Sequence, residues 1–405
     1  MKRVIVIGAG ASGLMAAYAA AARGNDVLVL ERNEKAGKKI YITGKGRCNV
    51  TNAVAAEDFF PNVVHNPRFL KSCIHQFPPE RLMRFLEEGG LRLKTERGNR
   101  VFPASDKASD VTKCLERYCK NAGVAFAFCE RVLKIDVLQS TMFRITTDKR
   151  ALEAEAVIVC TGGISYPATG STGDGYAFAR GLGLRVGPLR PALCGIECPG
   201  CEPLQGLSLK NVALTASRRD GRRIASFFGE MLFTHFGVSG PIVLSMSSLL
   251  NEADLADVRL SIDLKPALDD ATLDKRLLRE FDRYKNRQIA HVLEELLPKR
   301  MIASVLEQAD IPPVLPVHSV SKGQRAALLR ALKGYALTPR SLRPVEESIV
   351  TAGGIDVKEI DPKTMQSKKY EGLAFCGELL DVDAFTGGFN LQIAFATGFA
   401  AGNAI

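Results

Sequence analysis

The chain of 405 residues has no low-complexity tract and no repeat of fixed period, which argues against a disordered linker or a solenoid array. It has no dense cluster of cysteines either. Its ten (positions 48, 73, 114, 119, 129, 160, 194, 198, 201 and 376) are dispersed, which argues against a disulfide framework and suits reduced thiols in a cytosol. One stretch, Val4 to Ala22, is free of charge and follows two basic residues, so it imitates a signal peptide or a membrane span. Its pattern changes period, however: β-branched Val4–Ile7 give way to Gly8, Gly10 and Gly13, then to an alanine-rich helical run. A spanning helix has no need of that break, and a cytoplasmic protein without a membrane anchor is expected.

What is present is an ordinary globular composition, 46% hydrophobic and 24% charged, enough for a sizeable core in two or three domains. The formal net charge of +10 favours an anionic partner: nucleic acid, a phosphorylated cofactor or an acidic membrane surface. Charge by itself does not choose among them.

Residues 3–31 read as strand, glycine turn, helix and strand, a βαβ unit whose continuous apolar strands indicate a parallel sheet covered on both faces. Residues 56–121 read as helical and charged, interrupted by a loop at 96–105. Strand-like runs follow at 125–128, 132–137, 143–147 and 156–160. Residues 193–264 look β-rich, with a hairpin turning at Asp220-Gly221 and a short helix after Ser239-Gly240-Pro241. Residues 269–335 read as a helical insertion. The last 60 return to strand and glycine signals and end in a buried helix after Asn390. The resulting expectation is α/β: a Rossmann-like domain (1–190 and 345–405), interrupted by a β-barrel-like domain (191–268 and 336–344) that carries the helical insert.

Gly8, Gly10 and Gly13 form GxGxxG between strand and helix, and Glu31 ends the next strand 18 residues after Gly13. Gly8 permits the turn, Gly10 lets backbone approach a pyrophosphate, and Gly13 lets the helix, opened by Ala11 and Ser12, lie on the sheet. The helix start attracts phosphate, and Glu31 is suited to the adenosine ribose. FAD and NAD fit equally well at this point. Two further segments favour FAD: the strand ending in Thr161-Gly162-Gly163, and the run from Gly377 and Glu378 to Asn390. In the latter, Asp381 or Asp383 would meet ribityl hydroxyls, and Gly387, Gly388 and Phe389 would let backbone approach the isoalloxazine. The alternative is a glycine-rich helix entry with solvated acids. Only one dinucleotide fingerprint is present, so a separate NAD(P)H domain is not expected.

TGKGRCNVTN (43–52), RVFPASDKASDV (100–111), SYPATGSTGDGY (165–176), GEMLFTHFGVSGP (229–241), VTAGGI (350–355) and CGELLDVDAFTGGFNLQIAFATG (376–398) carry a resemblance across nearly the whole chain. It resembles the BaiN/RdsA-type family of NAD(P)/FAD-dependent oxidoreductases. The resemblance implies the same interrupted FAD-binding architecture. It also implies that Arg32, Lys38, Gly44, Arg47, Cys48, Asn49, Thr172, Gly173 and Asp174 lie near the cofactor, with Arg47 and Lys38 suited to phosphate or reduced-flavin charge or, alternatively, solvated. A branch of that family reduces a ribosomal RNA uridine to dihydrouridine, and others act on small unsaturated molecules.

The expected chemistry is reduction of FAD by NAD(P)H and hydride addition to an activated alkene, with Cys48 or His235 as candidate proton donor. Cys194, Cys198 and Cys201 have cluster-like spacing but no neighbouring fourth ligand, so no metal is expected. Arg218, Arg219, Arg222 and Arg223 surround the hairpin turn and would grip RNA phosphates or simply stay solvated. Arg97, Arg100 and the lysine-rich 366–370 would extend that surface. An RNA-uridine reductase, a small-molecule oxidoreductase and a flavin-bearing protein without turnover all remain open.

Overall fold

The structure, a computed structural model, describes residues 1–139 and 141–405. They divide into two compact units, Met1–Ala192 with Pro344–Ile405, and Leu193–Arg343.

The first unit is built on a five-stranded, wholly parallel sheet in the order Leu373–Phe375, Ala156–Val159, Arg3–Ile7, Asp26–Glu31, Ala125–Phe128. Strand Ala156–Val159 and residues Val4–Ile7 of the first strand are buried throughout, because helices cover both faces of a parallel sheet. Helix Ala11–Ala22 packs against the last helix, Phe389–Ala404, through small residues. A Cβ on Gly398 would lie 2.3 Å from the Ser12 carbonyl oxygen, and one on Gly402 2.2 Å from that of Ala16. Both contacts step four residues in the same direction, so the helices run parallel. Phe389 therefore starts its helix eight residues, about 12 Å, beyond the level of Ala11.

The expected loop at 96–105 is a β-hairpin instead. Strands Leu93–Glu96 and Arg100–Pro103 pair antiparallel, and Thr51–Asn52 joins them. Gly98 and Asn99 both take left-handed backbone at the turn (φ 77° and 58°), a conformation these two residue types tolerate. Strands Val132–Gln139, Met142–Thr147 and Ala151–Ala154 form a separate three-stranded antiparallel sheet.

The second unit holds a seven-stranded antiparallel sheet whose longest strands are Ser208–Arg218 and Arg223–Phe233. Its helices, among them Asp270–Arg283, Lys299–Gln308 and Lys322–Lys333, do not make a core of their own. Leu273, Leu277, Val305 and Leu328 share one apolar cluster with sheet residues Leu214, Phe233 and Ile262. The insert is thus integral to this unit. No helix among the described residues is long and apolar enough to cross a membrane.

Candidate functional site

The glycine loop leaves the end of the first strand. Gly8 has φ +100°, and a Cβ there would meet the Cys160 carbonyl at 2.6 Å; one on Gly13 would lie 1.8 Å from the Gly8 carbonyl. Gly10 differs from both, because a Cβ there meets nothing within 4 Å. It opens helix Ala11–Ala22 with no side-chain cap and no acid in the first turn. The helix start is thus a backbone N–H cradle facing open space, the arrangement that receives a phosphate.

Glu31 is buried at the end of the second strand. Its Oε2 accepts the Ala9 N–H at 2.8 Å, and its Oε1 accepts the Asn33 N–H (2.8 Å) and Nδ2 (2.7 Å). A carboxylate offers roughly four acceptor positions, which leaves one for a ribose hydroxyl. Beside it, Arg32 donates to Thr172 Oγ1 and, at 3.3 Å, to Asp174, which also takes Arg131 at 2.9 Å. Gly173 caps the helix that Asp174 begins.

Thr161, Gly162 and Gly163 follow strand Ala156–Val159, which lies beside the central strand. The Gly175 N–H donates to Thr161 Oγ1 at 3.1 Å, and a Cβ on Gly162 would lie 2.8 Å from Ser171 Oγ. A Cβ on Gly163 would strike Thr351 Oγ1 at 2.3 Å and Glu378 Oε1 at 2.7 Å. Glu378 is the hub of a polar knot: Lys39 Nζ at 2.6 Å, the Thr351 N–H at 2.8 Å and Ser165 Oγ at 2.9 Å all donate to it. Burial pushes the Glu378 carboxyl up, but the Lys39 ammonium and the hydrogen bonds outweigh it and hold the group below its ordinary range.

Of the two adjacent lysines, it is Lys39 and not Lys38 that reaches this knot. Lys38 pairs with Glu34, four residues earlier in the loop before the helix, at 2.8 Å, while its neighbour turns inward to the acid. Adjacent lysines on a helix point about 100° apart, and the spacing of the motif does not reveal which one faces in. Arg47 is corrected likewise: its guanidinium meets Glu96 (2.5 Å) and Asp106 (2.6 Å) and lies over the Phe102 ring, so two carboxylates already match its charge.

Cys48 is fully buried, and desolvation pushes its thiol up to about 12, so it offers neither an accessible thiolate nor a proton to a substrate. That corrects its candidacy as proton donor. Gly44 and Asn49 lie in the same loop, where Asn49 Oδ1 is buried without a partner. His235, in the second unit, is exposed and meets Phe236 edge-on at 5.1 Å.

The C-terminal segment is held from a distance. Gly377 (φ +68°) approaches Ser12, and its N–H donates to Thr397 Oγ1 at 3.0 Å. Asp383 is completely buried; its Oδ1 accepts from His65 Nδ1, and its Oδ2 has no partner. Gly387 gives its carbonyl to Asn52 Nδ2 at 3.1 Å, and Gly388 (φ +99°) lies so near Thr51 that a Cβ would sit 2.4 Å from that carbonyl. The Phe389 side chain turns into the core against Phe59, at 5.3 Å between ring centres, so only its backbone serves the helix start. Asn390 spans its own loop, accepting the Ala384 N–H at 2.9 Å and donating to its carbonyl at 2.7 Å. His65, Lys39 and Arg131 were not singled out from sequence; each is recruited by a carboxylate more than 40 residues away.

The residues present fit FAD: an open Gly10, an uncapped helix start, a residual Glu31 acceptor and, beyond the first helix, the buried unpartnered Oδ2 of Asp383. Among the described residues no group of histidines, cysteines or acids is arranged to hold a metal; Cys194, Cys198 and Cys201 are buried free thiols.

A Rossmann-type parallel sheet with this loop and this C-terminal closure defines an FAD-dependent oxidoreductase. The chain belongs to the family described as HI0933-like protein Rossmann domain, matched over residues 2–404. It is 32% identical over 408 residues to the 3-dehydro-bile acid delta(4,6)-reductase of Clostridium scindens, covering 100% of this chain and 99% of the relative. It is 29% identical over 398 residues to the ribosomal RNA dihydrouridine synthase of Escherichia coli, covering 98% and 96%. In fold it is similar to the 3-ketosteroid-delta4-(5alpha)-dehydrogenase of Rhodococcus jostii RHA1 (TM-score 0.54, 14% identity, 100% and 96% covered).

Proposed function

We propose that this cytoplasmic enzyme uses NAD(P)H to reduce a polarised carbon–carbon double bond, and that its substrate is a uridine of large-subunit ribosomal RNA. Bound FAD supplies the hydride chemistry. The chain's own contribution is positional: the N–H groups at Gly10–Ser12 receive the pyrophosphate, Glu31 a ribose hydroxyl and Asp383 Oδ2 a ribityl hydroxyl. The start of helix Phe389–Ala404 favours negative charge on the pyrimidine side of a reduced flavin.

The observation that carries the RNA substrate is the hairpin at 218–223, with four arginines among six exposed residues. Asp220 is used within the turn, accepting the Arg222 N–H at 2.8 Å, and of the four arginines Arg218 pairs with Asp257 at 3.3 Å. The 366–370 stretch adds less than its composition suggests, because Lys368 and Lys369 donate to backbone carbonyls of Lys358 and Leu182. A second reading, a small enone as substrate, is favoured by the higher identity to the bile acid reductase.

Dihydrouridine mapped in ribosomal RNA from cells with and without the protein tests the assignment. A position lost with the protein is expected; identical maps would remove RNA as the substrate and leave the enone reading.

A further inference from the structure

Helices cover one face of the seven-stranded sheet of the second unit, and the other face meets solvent. Along strand Ser208–Arg218 the side chains alternate: Val212, Leu214 and Ala216 enter the apolar cluster, so Ala213, Thr215 and Ser217 point the other way. Residues paired across strands share a face. Phe228 stands opposite Ala213, Ser226 opposite Thr215 and Arg223 opposite Ser217. Strand Val258–Asp263 adds Ser261 and Arg259 to the last two rows, and Thr215 Oγ1 and Ser226 Oγ are joined at 2.8 Å across the middle one. The result is a low, polar floor with an aromatic ring at one end and two arginines at the other, about 13 Å along the strand.

Phe228 has no counterpart elsewhere in the chain. Of the twenty phenylalanines and eight tyrosines it alone is exposed among the described residues, at 60%. A lone exposed apolar side chain needs no explanation, but a ring standing on a floor of alanine, serine and threonine offers a flat surface to a flat partner. Arg223 and Arg259 are exposed, and neither has a carboxylate partner among the described residues, so both charges are left for an anion. Asp263, in the row of the ring, is already matched by Lys333 at 2.6 Å, and Glu230 lies beyond Phe228 on the side away from the arginines. A ring and two cations on one flat surface match the repeating unit of a single-stranded nucleic acid, a planar base and a phosphate. In a duplex the bases are stacked on one another and closed to the ring.

We propose that this sheet face is a docking platform for unpaired RNA, on which Phe228 stacks against one base while Arg223 and Arg259 take phosphates of the same strand. The inference rests on the RNA reading above and goes beyond it. The arginines of the turn grip any phosphate backbone, whereas Phe228 makes the surface select RNA whose bases are free.

The test is binding to the FAD-loaded full chain, without turnover. The probe is fluorescein-labelled oligouridylate, alone or paired with oligoadenylate. The variants are Phe228→Ala, Phe228→Tyr and the double substitution of Arg223→Ala with Arg259→Ala. Wild type is expected to prefer the single strand. Phe228→Ala should weaken single-strand binding about tenfold and leave the salt dependence and the duplex affinity as they were, while Phe228→Tyr binds like wild type. The arginine pair should flatten the salt dependence. Flavin content and thermal unfolding are expected to match wild type in each variant, because all three side chains are exposed. A Phe228→Ala chain that binds the single strand as tightly as wild type overturns the proposal. So does a dimer in sedimentation that Phe228→Ala dissolves, since the face would then belong to a second copy. Oligouridylate binding that depends on Phe228, together with identical dihydrouridine maps with and without the protein, would keep the platform and remove the ribosomal substrate.

Discussion

The two ends of the chain each supply a helix start to the same unit, and they are built by opposite means. At the N-terminal loop the close approaches are mainly to backbone: Gly13 packs on the Gly8 carbonyl five residues away, Gly8 on the Cys160 carbonyl beside the neighbouring strand, and Gly10 leaves space. At the C-terminal loop the glycines are equally strained, but their positions come from afar, from Asn52, Thr51 and His65. A turn made of glycines is specified by a short motif, whereas a loop held by distant side chains exists only when the rest of the unit has folded around it.

The sharpest break of this comparison lies within the first loop. Gly13→Ala forces a Cβ into the Gly8 carbonyl and is expected to lose about 3 kcal/mol of stability together with the flavin. Gly10→Ala, with open space at its Cβ, should unfold within about 0.5 kcal/mol of wild type and still bind less FAD. Thermal unfolding followed beside flavin absorbance separates the two; equal stability losses would mean that Gly10 is packed rather than open.

Next comes the knot that joins both ends. Glu378→Gln leaves the Lys39 ammonium without its counter-charge and should cost about 3 kcal/mol, since removing one partner of a buried pair strands the other. The pH dependence has a definite sign. The Glu378 carboxyl sits below its ordinary value of 4.5 in the fold, so its stabilisation is full above 4.5 and disappears as pH falls through the folded value. Denaturant midpoints at about pH 6 and about pH 3 should differ less in Glu378→Gln than in wild type. An unchanged acid limb would show that the carboxyl is not ionised in the fold.

The second unit offers a milder contrast. Changing Arg218, Arg219, Arg222 and Arg223 together to alanine should weaken RNA binding about tenfold and flatten its salt dependence, while flavin content stays as it was. Binding isotherms at several salt concentrations read this directly, and an unaltered slope would return the hairpin to a solvated turn. The smallest effect is expected from Cys48→Ala: a buried thiol is lost at a cost of about 1 kcal/mol, with no change in the rate of substrate-dependent flavin reoxidation. A large fall in that rate would restore Cys48 as a participant.

The parallel core and the glycine loop were legible because each rests on short-range pattern: apolar runs for buried strands, and glycine where backbone must turn or approach. The hairpin at 93–103 was read as a loop because its strands are short and charged and only the Gly98-Asn99 pair marks the turn. The helices of 270–333 were read as an insert because their charged faces are obvious, while the apolar faces that merge with the sheet of the second unit are visible only in three dimensions. Lys38 and Lys39 differ by one position, and the motif does not show which of them turns inward to Glu378.

Sequence alone determined the βαβ start, the uncapped cradle at Gly10 and the acid at Glu31, since their geometry follows from dihedral preference and spacing within some thirty residues. Only the tertiary structure decided that Lys39 meets Glu378, that Asp383 takes His65, and that Cys48 is sealed from solvent. Those outcomes depend on which distant groups a buried carboxylate or thiol finds when water is removed, and desolvation is a property of the packed unit rather than of any segment in it.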